Sequence, residues 1–411
     1  MTKNDSPVAK PISSGERIRE LDIIRGFALF GVLLVNIAMF NTTLFSEMAS
    51  VSPMSNPLHL DGLSDRISAV LIQIFAQGKF YTIFSFLFGL GFYIFMERAE
   101  SKNRSANYLF ARRSFILVLF GILHFVFVWY GDILHVYGII AFLLMLFRNR
   151  SIKTIRNWIV ALLILSTLIF SGFAFLNDYI STIVSNEVMM DQYNNIYIQM
   201  EQSVEIYSNG SFVEIVAYRM KNEFPVVASQ LVFLIPKILG MFLIGLYVGK
   251  RRIFNNVENN VDFIRKVWRW GGAIGILTTL GYVLIQFNLM QPDSLFYNSS
   301  IALFKEISTV FLSMFYVTSL ILLYQKTPFK RFLYPLSYMG RMALTNYLVQ
   351  CILCSFIFYG YGLGLLNKAS IATGILLTIL IYTAQVFFSM FWLKKYHYGP
   401  VEWLWRHLTY N

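Results

Sequence analysis

Residues 21–41 read LDIIRGFALFGVLLVNIAMFN, an apolar run whose only charged residues, Asp22 and Arg25, fall near its start. About 20 apolar residues in a helix cross the roughly 30 Å hydrocarbon core of a bilayer. The run therefore predicts a transmembrane helix. It is too long for the core of a signal peptide and lacks a small-residue cleavage site, so we expect it to remain as a signal anchor.

Apolar runs of this kind recur along most of the 411 residues, of which 56% are hydrophobic and only 14% charged. Soluble domains carry about 25% charged residues. The pattern predicts an all-α fold, a polytopic transmembrane helical bundle of about ten helices. We expect one transmembrane domain over residues 21–396, between terminal segments 1–20 and 397–411. The predicted spans are 21–41, 80–96, 113–130, 133–147, 158–176, 226–249, 268–287, 301–324, 343–361 and 370–393.

The basic residues predict how the bundle is oriented. Lys and Arg cluster at one end of successive spans, near residues 3–19, 98–113, 148–156, 250–269, 326–341 and 394–406. The positive-inside rule places these clusters and both termini in the cytoplasm, with the bundle in the cell (plasma) membrane. The net charge of +12 sits in short clusters without a basic helix or an aromatic RNA-binding strand, so we expect no nucleic-acid partner.

Two segments outside the spans have apolar residues at helical spacing and predict interfacial helices. One is 64–77, which alternatively runs on into the second span as a longer tilted helix. The other, 212–224, closes a long acidic segment, 177–223, which we expect to be an extracytoplasmic loop. The two cysteines, Cys351 and Cys354, lie in an apolar run without a second ligand pair, which favours a structural role and no metal site.

Polar residues at membrane depth are costly, so they mark a function or a buried partner. Arg25 and Asn36 are 11 residues apart, about 16 Å of helical rise, and share one face. His124 lies 11 residues beyond Arg113 and is the best candidate for proton transfer. The alternative is a neutral histidine hydrogen-bonded across helices. Asp132, in the Gly-Asp turn that follows, is either part of that site or a cap of the next helix.

A further cation, Lys237, follows Pro236 in the sixth span. An ammonium at that depth needs a partner or water. Glu306 is that partner only if helix packing shifts one of the two by several ångströms. Otherwise Glu306 belongs to an outer vestibule.

Several stretches resemble the YeiB-like family of bacterial membrane proteins, a family without an assigned reaction. The matching stretches are RELDIIRGFALFG at 19–31 with Asn36, GKF at 78–80, FSFLFG at 84–89, Arg112 and Arg113, Gly121 and His124, GDIL at 131–134, GRMALTNY at 340–347 with Gln350, and GPVEWLWR at 399–406. They extend over nearly the whole chain in one order.

More distantly, Asp22, Arg25-Gly26 and Asn36 look like the opening helix of the transmembrane acyltransferase superfamily. This superfamily includes lysosomal heparan-glucosaminide N-acetyltransferase and bacterial wall and polysaccharide O-acetyltransferases. The resemblance implies transfer of an acyl group, foremost acetyl, from cytoplasmic acyl-CoA to an extracytoplasmic or membrane-bound acceptor. The superfamily's catalytic histidine lies near the outer end of the first helix, where this chain has Asn36 and no histidine before His59. His124 would then replace it.

On this hypothesis the chain is an integral membrane acyltransferase with membrane lipids, acyl-CoA and a glycan or lipid-linked acceptor as partners, and a homodimer is left open. The predicted catalytic residues are His124, Asn36 and Asp132. The predicted acyl-CoA-binding residues are Arg25, Arg112, Arg113, Arg341 and Gln350, and the predicted acceptor-side residues are Lys79, Lys237 and Glu306.

Two other classes of function fit the same residues. One is a transporter or flippase of a small anionic or lipid-linked substrate, for which Lys237 after a proline suits an anion site. Against it, the sequence offers no carboxylate near the midplane to couple to a cation. The other is a receptor or scaffold that binds through the acidic segment 177–223.

Overall fold

The computed structural model describes residues 18–50, 62–101, 105–287, 289–290 and 292–410. These residues form sixteen α-helices and no strand, which confirms the all-α fold. Residues 3–17 of the first basic stretch, residues 102–104 of the second, and His59 lie outside the described part. The helices are α1 Arg19–Phe40, α2 Leu44–Ser50, α3 Leu63–Phe75, α4 Lys79–Glu100, α5 Ala106–Phe127, α6 Leu134–Met145, α7 Ile152–Ile183, α8 Asn186–Asn209, α9 Phe212–Tyr218, α10 Phe224–Lys250, α11 Val261–Gln286, α12 Tyr297–Tyr324, α13 Thr327–Arg341, α14 Ala343–Phe358, α15 Ile371–Lys395 and α16 Pro400–Tyr410.

Among the described residues, seven helices are long and apolar enough to cross a membrane, and the bent pair α13–α14 makes an eighth if it is counted as one span. The sequence predicted about ten. The span predicted at 133–147 is α6, whose 12 residues rise only about 18 Å. The span predicted at 268–287 lies in α11, which is 26 residues long but begins with a charged stretch and falls outside that set.

The outward-facing surface of the bundle is apolar, as a membrane requires. In the apolar part of α7 only 11% of the residues are buried inside the protein. Large side chains such as Ile164 and Leu168 are more than half exposed on its surface. A soluble protein would not leave so continuous an apolar surface in water, which supports a multi-pass membrane protein.

Helix α1 lies at the centre of the bundle and packs against α4, α12, α13, α14 and α15. The hydroxyl of Tyr382 on α15 donates to the Gly26 carbonyl of α1 at 2.7 Å. Close helix contact recurs at the α4–α10 crossing, where a Cβ on Gly89 or on Gly245 would overlap the backbone of the facing helix. Small residues at such crossings let membrane helices approach closely.

The acidic segment predicted as a loop is mostly helical. It contains the end of α7, the whole of α8 and the short helix α9. A capping box of Ser211 and Glu214 starts α9. A π-helical turn, Arg219–Glu223, then joins α9 to α10. The other predicted interfacial segment is α3. It continues into α4 as one candidate span, Leu63–Glu100, as the alternative prediction had it, with a local break where Gly78 has a φ of 82°.

An elbow and a final helix close one end of the bundle. Helices α13 and α14 meet at an angle of 79° just after Arg341. Glu402 of α16 caps α14, because its carboxylate accepts hydrogen bonds from the backbone amides of Leu344 at 2.7 Å and Thr345 at 3.0 Å. The start of α1 and helix α16 therefore lie at the same end, which is rich in arginine.

Candidate functional site

A cavity of about 2530 Å³ runs through the bundle beside α1. At the end where α1 begins, five arginines line it: Arg25, Arg98, Arg113, Arg341 and Arg406. We call these five residues the arginine cluster. The lining continues past Asn36 to Asn41, Thr42 and Glu47 beyond the far end of α1. The cavity thus connects the arginine cluster with the opposite end of the bundle.

Specific contacts hold the arginine cluster in place. Arg25 pairs with Asp22 at 2.8 Å. The Arg113 guanidinium carbon lies 3.6 Å from the centre of the Trp405 ring, and the Trp405 indole donates to the Arg113 carbonyl at 3.0 Å. Arg406 lies over the Tyr398 ring at 4.3 Å. Stacked guanidinium groups keep their hydrogen-bond donors for a ligand, so this end of the cavity is suited to bind anions.

Asn36 lines the middle of the cavity, about 16 Å along α1 from Arg25. Its side-chain amide makes no hydrogen bond to any described residue. Arg25 and Asn36 therefore share one face of α1, as their spacing predicted, and that face borders the cavity.

Behind the cavity wall, one buried carboxylate lies between two histidines. His124 Nδ1 lies 2.9 Å from Asp132 Oδ1, and His135 Nδ1 lies 2.6 Å from Asp132 Oδ2. The backbone amide of His135 also donates to Asp132 at 2.9 Å, so Asp132 caps the start of α6. Burial alone would raise the pKa of the Asp132 carboxyl, but the hydrogen bonds and charges of the two histidines outweigh it and lower the pKa to about 2.

Close approach of α5 and α6 makes this arrangement possible. Gly121 faces the α6 start, and a Cβ added there would clash with the backbone nitrogen of His135 and lie 2.7 Å from Asp132 Oδ2. The last turn of α5 also contacts Arg219, which donates to the Val126 carbonyl at 2.8 Å. Arg219 belongs to the π-helical turn, a feature often found at functional sites.

His124 and Asp132 do not line the cavity. The ring of Tyr347 on α14 does, and its centre lies 5.4 Å from that of the His124 ring. Nε2 of His124 is buried and has no hydrogen-bond partner among the described residues. Tyr347 therefore separates this imidazole from the cavity that Asn36 faces.

Two predicted acyl-CoA ligands lie away from the cavity. Arg112 is half-buried and is not part of the lining, although the next residue, Arg113, is. Gln350 is buried between α14 and α15, where its amide donates to Gln385 at 2.8 Å. Gln385 in turn donates to the Asn346 carbonyl at 3.1 Å. The structure therefore gives Gln350 a helix-packing contact and does not group either residue with the arginine cluster.

The three predicted acceptor-side residues do come together. Lys237 and Glu306 are paired, with the ammonium 2.9 Å from the carboxylate, and both line the cavity. Helix packing thus brings Lys237 and Glu306 into direct contact, which their positions in the sequence alone did not determine. Lys79 is fully buried beside them and donates to the Gln73 carbonyl at 3.0 Å. Lys305, which precedes Glu306, also lines this part of the cavity.

Sequence reasoning missed several lining residues. In the sequence, Arg98 and Arg406 count only as positive-inside charges, and Lys305 and Tyr347 do not stand out from the other lysines and aromatic residues. Glu47 lies just past α1 and accepts a hydrogen bond from Tyr130 at 3.4 Å. Burial raises the pKa of the Glu47 carboxyl to about 7. Its position as an acidic residue soon after the first span is the sequence feature that could have identified Glu47.

Comparison with known proteins places this architecture in a family. The chain is 34% identical to the "Uncharacterized protein YxaH" of Bacillus subtilis (strain 168) over 98% of this chain and 96% of that one. It is 29% identical to the "Uncharacterized 39.9 kDa protein in amylase 3'region" of Bacillus acidopullulyticus, over 98% and 96%. It is 27% identical to the "Uncharacterized protein YeiB" of Escherichia coli (strain K12), over 96% of each chain.

Residues 248–411 match the family described as "Protein of unknown function (DUF418)". No solved structure matches the chain. The match to the three relatives extends over nearly the whole of each chain, so it includes both the cavity and the elbow. The chain therefore belongs to the YeiB-like family of multi-pass membrane proteins.

Proposed function

We propose that this protein is an acyltransferase of the plasma membrane that transfers an acyl group, foremost acetyl, from acyl-CoA at the basic end to an acceptor at the other. The supporting observation is a single cavity that leads from the arginine cluster along α1 to the opposite end of the bundle. The positive-inside rule makes the basic end, and with it both termini, cytoplasmic. Acyl-CoA is then available where the arginines lie.

The arginine cluster suits coenzyme A because that molecule carries a pyrophosphate and a ribose phosphate. Arginine binds phosphate oxygens in a bidentate manner. Trp403 and Tyr410 line the same end of the cavity and offer faces on which an adenine stacks. The pantetheine arm would extend along α1 and bring the thioester to Asn36.

At Asn36 the free amide would donate to the thioester carbonyl oxygen as negative charge develops on it. His124, oriented by Asp132 at Nδ1, would take the proton of the acceptor hydroxyl or amine at Nε2. The C–S bond then breaks as the new C–O or C–N bond forms, and the proton passes to the departing CoA thiolate. This chemistry requires the Tyr347 ring to turn aside, since it separates His124 from the cavity.

A test of the donor site uses two neighbouring arginines. Arg113 lines the cavity and Arg112 does not, so Arg112→Ala is a matched control for Arg113→Ala. In nanodiscs we expect Arg113→Ala to weaken acetyl-CoA binding at least tenfold, and Arg112→Ala to leave the Kd within twofold, with thermal unfolding checking that both are folded. Absence of acetyl-CoA binding by the wild type, or equal binding by both variants, would refute the donor site.

A test of the chemistry uses the two histidines that share Asp132. His124→Ala should abolish transfer of radiolabelled acetyl groups to membrane acceptors while acetyl-CoA still binds. His135→Ala keeps the base and should retain part of the activity. Unchanged turnover in His124→Ala would remove the proposed base.

A transporter of an anionic substrate is the second candidate. The wall of the cavity includes a carboxylate, Glu306, that is paired with Lys237 directly after the helix proline Pro236. Glu306 would be the carboxylate that couples transport to a cation, which could not be located from the sequence. Counterflow of an anionic solute in proteoliposomes, without any acetyl transfer, would favour the transporter over the enzyme.

A further inference from the structure

The three lysines beside Glu306 form a cluster whose charge is not balanced by the protein. Lys237 contacts this carboxylate, Lys305 precedes Glu306 on α12, and Lys79 is buried near both lysines; we call these three residues the lysine cluster. The carboxylate is already paired with Lys237, whose ammonium nitrogen lies 2.9 Å away. Lys79 donates only to a backbone carbonyl, and Lys305 makes no hydrogen bond or ion pair to a described residue. The ammonium groups of Lys237 and Lys305 are close enough to Lys79 to repel it.

Like charges at this depth are expensive because little water screens them. With all three amines protonated, the cluster exceeds its one carboxylate by two positive charges, a state that burial and mutual repulsion disfavour until an anion binds. A group that brings about two negative charges would neutralise the cluster, and a phosphate monoester carries roughly −1.5 to −2 near neutral pH. A carboxylate or a phosphodiester would bring only one.

The lining beside the lysine cluster supports such a ligand. Lys237 and Lys305 reach the cavity directly, whereas Lys79 contributes its charge from just behind the wall. Gln77 and Thr309 border the same part of the cavity and add polar side chains. Ammonium groups, which carry three donors each, and neutral polar groups together fit the several acceptor oxygens of a phosphate.

We propose that the lysine cluster is a binding site for a phosphate monoester, separate from the arginine cluster. Binding itself does not depend on acyl transfer. A second step rests on the proposed function: the acceptor would then be a molecule that carries a terminal phosphate. Either a soluble phosphate ester or the headgroup of a lipid such as phosphatidic acid supplies this chemistry.

The experiment measures binding of radiolabelled glycerol 3-phosphate to the full-length protein in phosphatidylcholine nanodiscs. We expect saturable binding that Lys305→Met weakens at least tenfold and Lys305→Arg largely preserves. Lys326→Met is the control, because Lys326 is exposed just beyond the end of α12. Absence of binding, or equal binding by Lys305→Met and the wild type, would overturn the proposal.

Two further arms identify the source of the phosphate and separate this site from the donor site. Phosphatidic acid in the nanodisc should displace glycerol 3-phosphate if the natural ligand is a lipid, whereas phosphatidylglycerol, a diester, should not. Displacement by phosphatidylglycerol as strong as that by phosphatidic acid would contradict the charge argument. Arg113→Ala should leave glycerol 3-phosphate binding within twofold, so failure of the acyl-CoA site would not be mistaken for failure of this one.

Discussion

Removing one partner of the buried pair Lys237–Glu306 should destabilise the protein strongly, and by different amounts for the two partners. Lys237 is 2% exposed and Glu306 15% exposed as side chains, and their charged atoms are 2.9 Å apart. Removing one member of a buried pair costs about 3–5 kcal/mol because the other charge is left uncompensated. Lys79 and Lys305 decide where in that range each variant falls.

Lys237→Met leaves Glu306 near Lys305, so the carboxylate charge is still compensated in part, and we expect a loss near 3 kcal/mol. Glu306→Gln leaves three ammonium groups without any carboxylate, and we expect a loss near 5 kcal/mol. The double variant leaves two lysines and no carboxylate. It should therefore cost less than the sum of the two single changes, with a coupling energy of about 2 kcal/mol or more.

The assay is reversible unfolding of purified protein in mixed micelles with increasing dodecyl sulfate, followed by circular dichroism. The free energy of unfolding is compared among the wild type, both single variants and the double variant. If Lys237→Met were the more damaging change, or if the two losses simply added, the argument from the lysine cluster would be wrong.

Three smaller changes test other parts of the structure. Gly121→Ala should lower the free energy of unfolding by about 2 kcal/mol or more, because the added Cβ pushes α5 from α6. A Cβ on Gly91 meets no atom within 4 Å, so Gly91→Ala should be near neutral in the same unfolding assay. The pKa of Glu47 is raised to about 7 in the folded state, so the contribution of Glu47 to stability should fall as the pH rises from about 4.5 towards 7. Glu47→Gln should flatten that part of the curve of melting temperature against pH. An unchanged curve would contradict the argument that burial raises this pKa. Glu402→Ala removes the carboxylate that accepts a hydrogen bond from the Leu344 amide, so it should lower the free energy of unfolding by about 2 kcal/mol. It should also speed amide hydrogen exchange in the first turn of α14. Full protection of those amides would argue against the cap.

Hydropathy predicted the fold class because a membrane imposes one strong rule, that backbone polar groups are satisfied within helices. Each predicted span lies largely within helical structure, yet the count of spans differed. A run such as 133–147 is apolar enough for a span, but Asp132 starts α6 only at Leu134 and the helix ends at Met145. Helix ends depend on local caps that a hydropathy average does not register.

The segment 177–223 has more regular structure than its composition indicated. Its polar residues led to a predicted loop, whereas α8 is a helix that packs on α2, with Thr43 2.6 Å from Ser203. Acidic residues counted as a binding surface are partly structural. Asp178 accepts from the backbone and side chain of Asn298, and Glu223 accepts from Tyr207 at 2.8 Å.

Spacing along one helix predicted the depth of a residue and its face of the helix, but not which helix or cavity that face contacts. That was sufficient for Arg25 and Asn36, which both border the cavity. Gln350 is three residues after Tyr347 and close to it on the helix surface, yet α15 covers the position of Gln350 and leaves that of Tyr347 against the cavity. Contacts between helices distant in sequence, such as that of His124 with Tyr347, need the packing itself.

The charges around the cavity argue that whatever it binds is anionic. Seven cationic side chains line it: Arg25, Arg98, Arg113, Lys237, Lys305, Arg341 and Arg406. Five carboxylates of the described part of the chain line it, and each is engaged by the protein: Asp22 by Arg25, Glu306 by Lys237, Glu402 by the start of α14, Asp65 by the Ala372 amide, and Glu47 by the Tyr130 hydroxyl.

Engaged carboxylates leave the cationic excess facing the cavity, where a low dielectric strengthens its attraction for anions. The arginine cluster and the lysine cluster differ in kind, since the first presents planar, stacked guanidinium groups and the second compact ammonium groups packed into the interior. Two unlike cationic sites in one cavity fit the proposed reaction between two anionic molecules. A carrier of a single anion would need only one, so acetyl transfer that is lost when either site is removed would favour the enzyme over such a carrier.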